Sequence, residues 1–213
     1  MKIGFIGAGN IGATAARLFV EAGHEVAISN SRGPETLTDL VTRLGKRAHA
    51  VSVKEALKFG DIVFVSVPFG KYRQLPSEGF EGKVVIDSNN YYPDRDGHYS
   101  ELDQGKTTSS ELLAQHLGRA RVVKAFNTIW SEHLKTQGNK TLPLEERRAI
   151  FLCGDDPAAK QAVANLIEEI GFAPVDTGSL HDGGKKQQPN APIYNKVLTM
   201  KDAKALLQSE PVS

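Results

Sequence analysis

The 213-residue sequence holds a single cysteine, Cys153. No disulfide can form within the chain, and a reducing, cytoplasmic setting is expected. Net charge is nearly absent: 26 basic residues against 25 acidic ones leave +1. That balance offers no electrostatic case for nucleic acid or an anionic membrane surface as partner. No uninterrupted apolar run approaches the roughly 20 residues of a membrane helix. The opening MKIGFIGAGN is too short in its apolar part, and too broken by glycine, to read as a signal peptide. The histidines (His24, His49, His98, His116, His133 and His181) are scattered, with no H-x-x-x-H spacing and no cysteine at ligand distance. No metal site is expected, and each histidine reads as a surface or turn residue. Cys153 sits inside an apolar strand and reads as core. No internal repeat, long low-complexity tract or hydrolytic constellation stands out, so no catalytic residue is assigned.

What is present is an alternation of short apolar strands and helical stretches. Lys2–Ile6 is a buried strand. Residues 11–22 have helical spacing and end at Gly23. Further strands are expected at 25–29, 48–52, 61–67, 83–87, 121–125, 148–153 and 173–175. Helical stretches are expected at 35–44, 53–59, 157–170 and 200–207, the last packing back on the sheet. The run Asp61-Ile-Val-Phe-Val-Ser-Val67 is the pattern of a strand covered on both faces. The expected architecture is therefore α/β, a Rossmann-type doubly wound, mainly parallel sheet with helices on both faces. Residues 1–213 read as a single domain, with 148–213 as a small C-terminal α/β extension. The stretch 182–192 reads as a loop or mobile lid, and the tail after Leu207 as frayed.

Between the first strand and the first helix lies Gly7-Ala8-Gly9-Asn10-Ile11-Gly12, matching G-x-G-x-x-G in the strand–turn–helix context that gives the motif meaning. Gly7 permits the tight turn, Gly9 a close backbone approach to a pyrophosphate, and Gly12 close packing of helix on strand. The helix N-terminus supplies free amide donors for phosphate. About 20 residues further on, NAD-binding folds usually hold an acidic residue on the ribose. Here the stretch ISNSRGPET places Asn30, Ser31 and Arg32 instead. A carboxylate there would repel a 2′-phosphate. Asn30 removes the charge, Ser31 adds a hydroxyl and Arg32 a guanidinium suited to bidentate phosphate contact. The loop reads as tuned for NADP(H), with Thr36 as a further donor.

In open parallel sheets the ligand lies beyond the carboxyl ends of the strands. Val67 and Pro68 follow the fourth strand and would lie against a ribose or nicotinamide. Asn89 and Asn127 follow the fifth and sixth strands at neighbouring edges of one crevice. Their amides suit a carboxamide or a substrate carbonyl, or else cap turns. Asn90 reads as turn-capping.

The ordered blocks Gly7–Gly12, Asn30–Arg32, Val67-Pro68, Asp87-Ser-Asn-Asn90, Val123-Lys-Ala-Phe-Asn-Thr128, Cys153-Gly-Asp-Asp156 and Val175-Asp-Thr-Gly-Ser-Leu180 resemble the NADPH-dependent coenzyme F420 reductases. They also resemble the cytosolic NADPH-oxidising domain of the six-transmembrane metalloreductases. The resemblance runs to about Leu180. It implies NADPH on the strand ends, Ser31 and Arg32 on the 2′-phosphate, Val67 and Pro68 flanking the cofactor, and Asn89 and Asn127 near the nicotinamide. It implies a deazaflavin (coenzyme F420) or a flavin (FMN or FAD) as hydride acceptor, with Gly178, Ser179 and Leu180 as further contacts. The Ser-Asn-Asn and Lys-Ala-Phe-Asn-Thr blocks stand nearer the metalloreductase domain, while 182–194 departs from the family's closing segment.

The leading expectation is thus an NADPH-dependent oxidoreductase moving a hydride between NADP(H) and such a ring, with a small-molecule acceptor as its partner and homodimerisation plausible. Two other readings stay open. One is a small-molecule dehydrogenase or imine reductase using Asn127, or Lys124 if that side chain points into the cleft. The other is a non-catalytic NADPH-sensing module.

Overall fold

The computed structural model of the protein describes residues 1–209. Eight strands form one sheet: β1 (Lys2–Ile6), β2 (Glu25–Ser29), β3 (Ala48–Ala50), β4 (Ile62–Val65), β5 (Val84–Asp87), β6 (Arg121–Ala125), β7 (Ala149–Gly154) and β8 (Ala173–Asp176). Their spatial order is β3-β2-β1-β4-β5-β6-β7-β8. All neighbouring pairs are parallel except β6–β7, which run antiparallel over the pairs Val123–Gly154, Lys124–Cys153 and Ala125–Leu152. This is the doubly wound α/β sheet that the alternating pattern predicts. The order reverses between β1 and β4, the switch point at which such sheets bind ligands.

The larger helices are α1 (Asn10–Glu21), α2 (Thr38–Leu44) and α3 (Val53–Phe59). Two single turns, α4 (Pro93–Asp96) and α5 (Ser100–Asp103), precede α6 (Ser109–Leu117). Then follow α7 (Ser131–Thr136), α8 (Pro157–Glu169), α9 (Asp182–Lys186) and α10 (Met200–Ser209). Their starts are written in the sequence. Ser52 and Glu55 exchange side-chain and backbone hydrogen bonds as a capping box at α3, and Thr108 and Glu111 do the same at α6. Asp156 accepts from the Ala159 amide at 2.9 Å, and Pro157 opens α8. The stretch expected to be one helix over 35–44 divides instead into a 3-10 turn, Pro34–Leu37, and α2. The tail expected to fray after Leu207 remains helical through Ser209, and residues 210–213 lie outside the described part.

Strand alternation sends successive side chains to opposite faces and so builds two cores. On one face Phe5, Phe64, Ile86, Val123 and Leu152 meet Phe19 of α1 and Val163 and Leu166 of α8. On the other, Val63, Val65, Val85 and Cys153 meet Leu57 of α3, Leu113 of α6, and Phe69 and Tyr72 from a 3-10 stretch after β4. At the far edge, Met200 and Ala203 of α10 cover Phe151 and Val175. Among the described residues, no helix is long and apolar enough to cross a membrane. His24 departs from the surface role expected of it: it is buried, and Nε2 lies 2.6 Å from the Glu169 carboxylate. The start of β2 is tucked beneath the end of α8, which supplies that partner.

Candidate cofactor site

The three loop glycines have separable reasons to be glycine. Gly7 has φ +107°, which disfavours any side chain, and its amide donates to the Ser29 carbonyl at 2.9 Å. A Cβ on Gly7 would overlap the Ser66 carbonyl oxygen, and one on Gly12 would overlap the Gly7 carbonyl oxygen. Gly9 is different. Its backbone is extended, at φ −72° and ψ −172°, which any residue adopts. A Cβ there would meet nothing within 4 Å and would point into open space. Neither backbone conformation nor internal packing asks for glycine at position 9. Close approach of something outside the chain does, and a pyrophosphate against the amides opening α1 fits that opening.

Gly7, Ala8, Gly9, Asn30, Ser31, Arg32, Val67 and Pro68 all line one cleft of about 420 Å³ above the switch point. Asn10 is exposed at the start of α1, Ile11 packs partly on the core, and Gly12 is buried behind the loop. The Asn30 side chain shapes the second strand end. Its Oδ1 accepts from the Arg32 amide at 2.9 Å, and its Nδ2 donates to Thr36 Oγ1 at 2.9 Å. Thr36 spends its own hydroxyl proton on the Gly33 carbonyl, so it stabilises the loop rather than serving as a free donor. Arg32 is exposed, and among the described residues its guanidinium has no hydrogen-bond or ion-pair partner. It is a cation at the cleft's rim, available for an anion.

Val53, Ser66, Lys71, Gln74, Leu75 and Pro76 also line the cleft, although the sequence reading singled out none of them. Ser66 and Val53 adjoin elements already recognised. Lys71 and Gln74 lie in the irregular stretch after β4, where no periodicity indicates a facing direction.

Asn89 and Asn127 are both buried at the ends of β5 and β6. Asn89 Oδ1 accepts from the Val67 amide at 2.8 Å, which fixes the amide's orientation and leaves Nδ2 buried without a partner. Asn127 Nδ2 donates to the Gln187 carbonyl at 2.8 Å, which leaves Asn127 Oδ1 likewise unpartnered. Asn90 does not merely cap a turn. Its Nδ2 bridges the Asn127 carbonyl at 2.8 Å and the Tyr194 hydroxyl at 3.3 Å.

Lys124 is enclosed: alternation along β6 sends it to the same face as Asp87 and Cys153, against the start of α6. Only 1 % of it is exposed. Its Nζ donates to Ser110 Oγ at 2.8 Å and to the Asn89 carbonyl at 3.1 Å, and lies 3.7 Å from Asp87 Oδ2. Asp87 also accepts from Ser110 Oγ at 2.6 Å and from the Asn89 amide at 2.9 Å. The ion pair thus grips the backbone of Asn89 from both sides. Burial pushes the Cys153 thiol up to about 12, although Lys124 pulls the other way. Such a thiol is inert, as core placement predicts. An alkylating agent at about pH 8 should leave the folded protein unlabelled and modify Cys153 only in denaturant, read by intact mass.

The segment after β8 differs from expectation. Leu180 is buried in the second core; its amide donates to Asp155 Oδ1 at 2.9 Å and its carbonyl accepts from Thr108 Oγ1. Ser179 Oγ accepts from the Asp182 amide at the start of α9, and the Gly178 carbonyl accepts from the Gly154 amide. Leu180 is thereby committed to the fold, while Gly178 and Ser179 stay half-buried beside it. Residues 182–186 form α9 rather than a loose loop. A Cβ on Gly183 would crowd Cys153 and Thr177, and one on Gly184 would press on Thr108. The glycines that read as loop punctuation are there for close packing.

The model of the family described as NADP oxidoreductase, coenzyme F420-dependent, matches residues 2–91, which span the glycine loop, Arg32 and Asn89. A solved structure of the hypothetical protein SMa0349 from Sinorhizobium meliloti is 34% identical, with a TM-score of 0.80 over 93% of this chain and 95% of that one. Over residues 2–91 the chain is thus similar to the F420-dependent NADP oxidoreductase family. The proteins of that family are NADP-dependent oxidoreductases. Metalloreductase STEAP3 of Rattus norvegicus is 30% identical over 181 residues, 84% of this chain and 34% of that protein. The chain therefore spans about a third of the length of the curated relatives it matches. A putative F420-dependent NADP-reductase from Arthrobacter sp. FB24 shares the fold, at 23% identity and a TM-score of 0.70, over 84% of this chain and 86% of that one.

Proposed function

We propose that this protein binds NADP(H) along the cleft and exchanges a hydride between the nicotinamide and an isoalloxazine-like ring, either the deazaflavin F420 or a flavin. The observation that carries this reading is the cleft above the switch point, where Gly9 leaves room for a pyrophosphate at the start of α1 and Arg32 offers an unpaired guanidinium to a 2′-phosphate. Asn89 and Asn127 are buried outside the residues that line it, and their unpartnered Nδ2 and Oδ1 stand in the same state as Gln137 Oε1 and Gln187 Oε1. The bound nucleotide supplies the hydride. The protein's own part is to hold two rings in contact and exclude water, which needs no acid–base pair when the acceptor is a flavin-type ring.

Anaerobic oxidation of NADPH, followed by absorbance with F420, FMN, FAD and riboflavin offered separately, tests the acceptor. Turnover with one of them names it. NADPH binding without turnover on any would remove the flavin-type reading and leave a small-molecule reductase or a sensing module. The enclosure of Lys124 already counts against a reductase that uses it.

The choice of nucleotide is tested separately. Arg32→Ala should weaken NADPH by about 1.5–3 kcal/mol, the range for a hydrogen bond to a charged group. NADH affinity should barely change. Equal loss for both nucleotides would remove Arg32 from the 2′-phosphate.

A further inference from the structure

The cleft above the switch point is lined by two charged side chains, and they have the same sign. Arg32 comes from the end of β2 and Lys71 from the stretch after β4, and both are exposed. Among the described residues, no acidic side chain lines the cleft. The Lys71 ammonium, like the Arg32 guanidinium, has no hydrogen-bond or ion-pair partner among them. Two cations around one concave space, with no acid to offset them, favour an anion between them.

Lys71 is held in this place by the winding of its segment. Neither a helical nor a strand period can be read in the sequence between Pro68 and Leu75. The chain winds there as a 3-10 turn, Phe69–Gln74, at three residues per turn. The Lys71 amide donates to the Pro68 carbonyl at 2.9 Å, and the Leu75 amide to the Tyr72 carbonyl at 3.1 Å. Residues three apart therefore share a face. Phe69, Tyr72 and Leu75 are buried in the second core, where the first two rings stack with centroids 4.8 Å apart. Pro68, Lys71 and Gln74 form the other stripe, which is exposed and lines the cleft. The buried stripe fixes where the exposed one stands.

The route of the segment shows which part of a nucleotide Lys71 meets. A pyrophosphate would lie against the amides opening α1, and α1 packs on the first core through Ala15, Ala16 and Phe19. Lys71 approaches from the opposite face, because its turn is anchored in the second core. The segment ends at Leu75 and Pro76, which line the cleft together with Val53, the first residue of α3. Helix α3 packs on β1 and β2. The segment thus runs from the end of β4 past β1 toward the end of β2, where Asn30, Ser31 and Arg32 stand. That is the 2′-phosphate end. A phosphate monoester carries close to two negative charges at neutral pH, and Arg32 supplies one positive charge.

We propose that Lys71 is a specificity-determining residue, the second cation on the 2′-phosphate of the bound nucleotide, reaching it across the cleft from Arg32. The proposal rests on reading the cleft as an NADP(H) site. Its ligand class is an adenosine nucleotide with a phosphate on the ribose as well as at the 5′ end. Val53, Leu75 and Pro76 give the base an apolar seat beside the two cations.

Calorimetric titration of NADPH, NADH and adenosine 2′,5′-bisphosphate into wild type, Lys71→Met and Lys71→Arg tests this. The bisphosphate lacks the nicotinamide, so its binding is independent of any hydride acceptor. Lys71 is exposed and unbonded, so thermal melting should show both variants folded as wild type is. Lys71→Met keeps the stem and removes the charge. It should weaken NADPH and the bisphosphate about tenfold, the equivalent of one hydrogen bond to a charged group. NADH should change less than about twofold, since it has no 2′-phosphate. Lys71→Arg, which keeps the charge, should stay within about threefold of wild type for all three ligands. Arg32→Ala combined with Lys71→Met should bind NADPH no better than NADH. Unchanged NADPH affinity in Lys71→Met overturns the proposal. An equal loss for NADPH and NADH overturns it as well, since it would place the ammonium on the pyrophosphate or the base. A wild-type protein that binds neither NADPH nor the bisphosphate instead overturns the reading of the cleft itself.

Discussion

Lys124→Met is expected to lower the unfolding free energy by about 3–5 kcal/mol, the cost of breaking a buried ion pair by removing one partner. Methionine fills the volume of the lysine stem and removes only the charge. Asp87 then stays 1 % exposed with a full charge and no cation beside it. Ser110 and the Asn89 amide still donate to it, but hydrogen bonds alone do not offset desolvation of a carboxylate. Urea melts of wild type and variant at neutral pH would show this, and a deficit under about 1 kcal/mol would mean that Asp87 is not left unpaired. Because Lys124 also holds the Asn89 carbonyl, the variant should lose NADPH affinity even where it is fully folded.

The second large effect separates the glycines. Gly12→Ala forces a Cβ onto the Gly7 carbonyl, a backbone atom that cannot swing aside. A loss of about 3 kcal/mol in folding stability is expected, the upper part of the range for overpacking. Gly9→Val meets open space within the protein. Its folding cost should stay within about 1 kcal/mol, set by the poorer helix cap. Its nucleotide affinity should fall on the order of 100-fold, about 2.7 kcal/mol. Denaturant melts and NADPH titration on the same two variants would give opposite rankings. Parallel rankings would mean that Gly9 serves the fold rather than the ligand.

Much of this could be read from the sequence because the determinants are local. The glycine loop, the capping residues before α3, α6 and α8, and the β-branched runs of β4 and β5 each announce their element within a few positions. Asn30, Ser31 and Arg32 were found because their place is fixed by counting from the loop. What stayed hidden depends on partners distant in sequence. Asn90 resembled a turn residue because its partners, Asn127 and Tyr194, lie 37 and 104 positions away. Gly183 and Gly184 resembled a flexible loop because glycine for freedom and glycine for close approach are written with the same letter. Lys71 lines the cleft from a stretch whose facing direction no period sets. Lys124 was undecided between two faces until the register with Asp87 and Cys153 resolved it.

The reversal of β7 has a consequence for how the molecule comes apart. Strands β7 and β8 with α8 form a crossover unit of their own, joined to the rest of the sheet by the antiparallel pairs 123–154, 124–153 and 125–152 and to its first face by Val163 and Leu166 of α8. Continuous in sequence and held by its own parallel pairing, this unit is expected to act as a foldon, able to open below the free energy of global unfolding. In native-state hydrogen exchange, the amides of β8 and α8 should then share one opening energy, lower than that of β1 and β4. The end of β6 would loosen with them, since Asn127 is tied to Gln187 beyond β8. Nucleotide that bridges the two units would raise the exchange protection of the C-terminal one, although most of its contacts lie in the other.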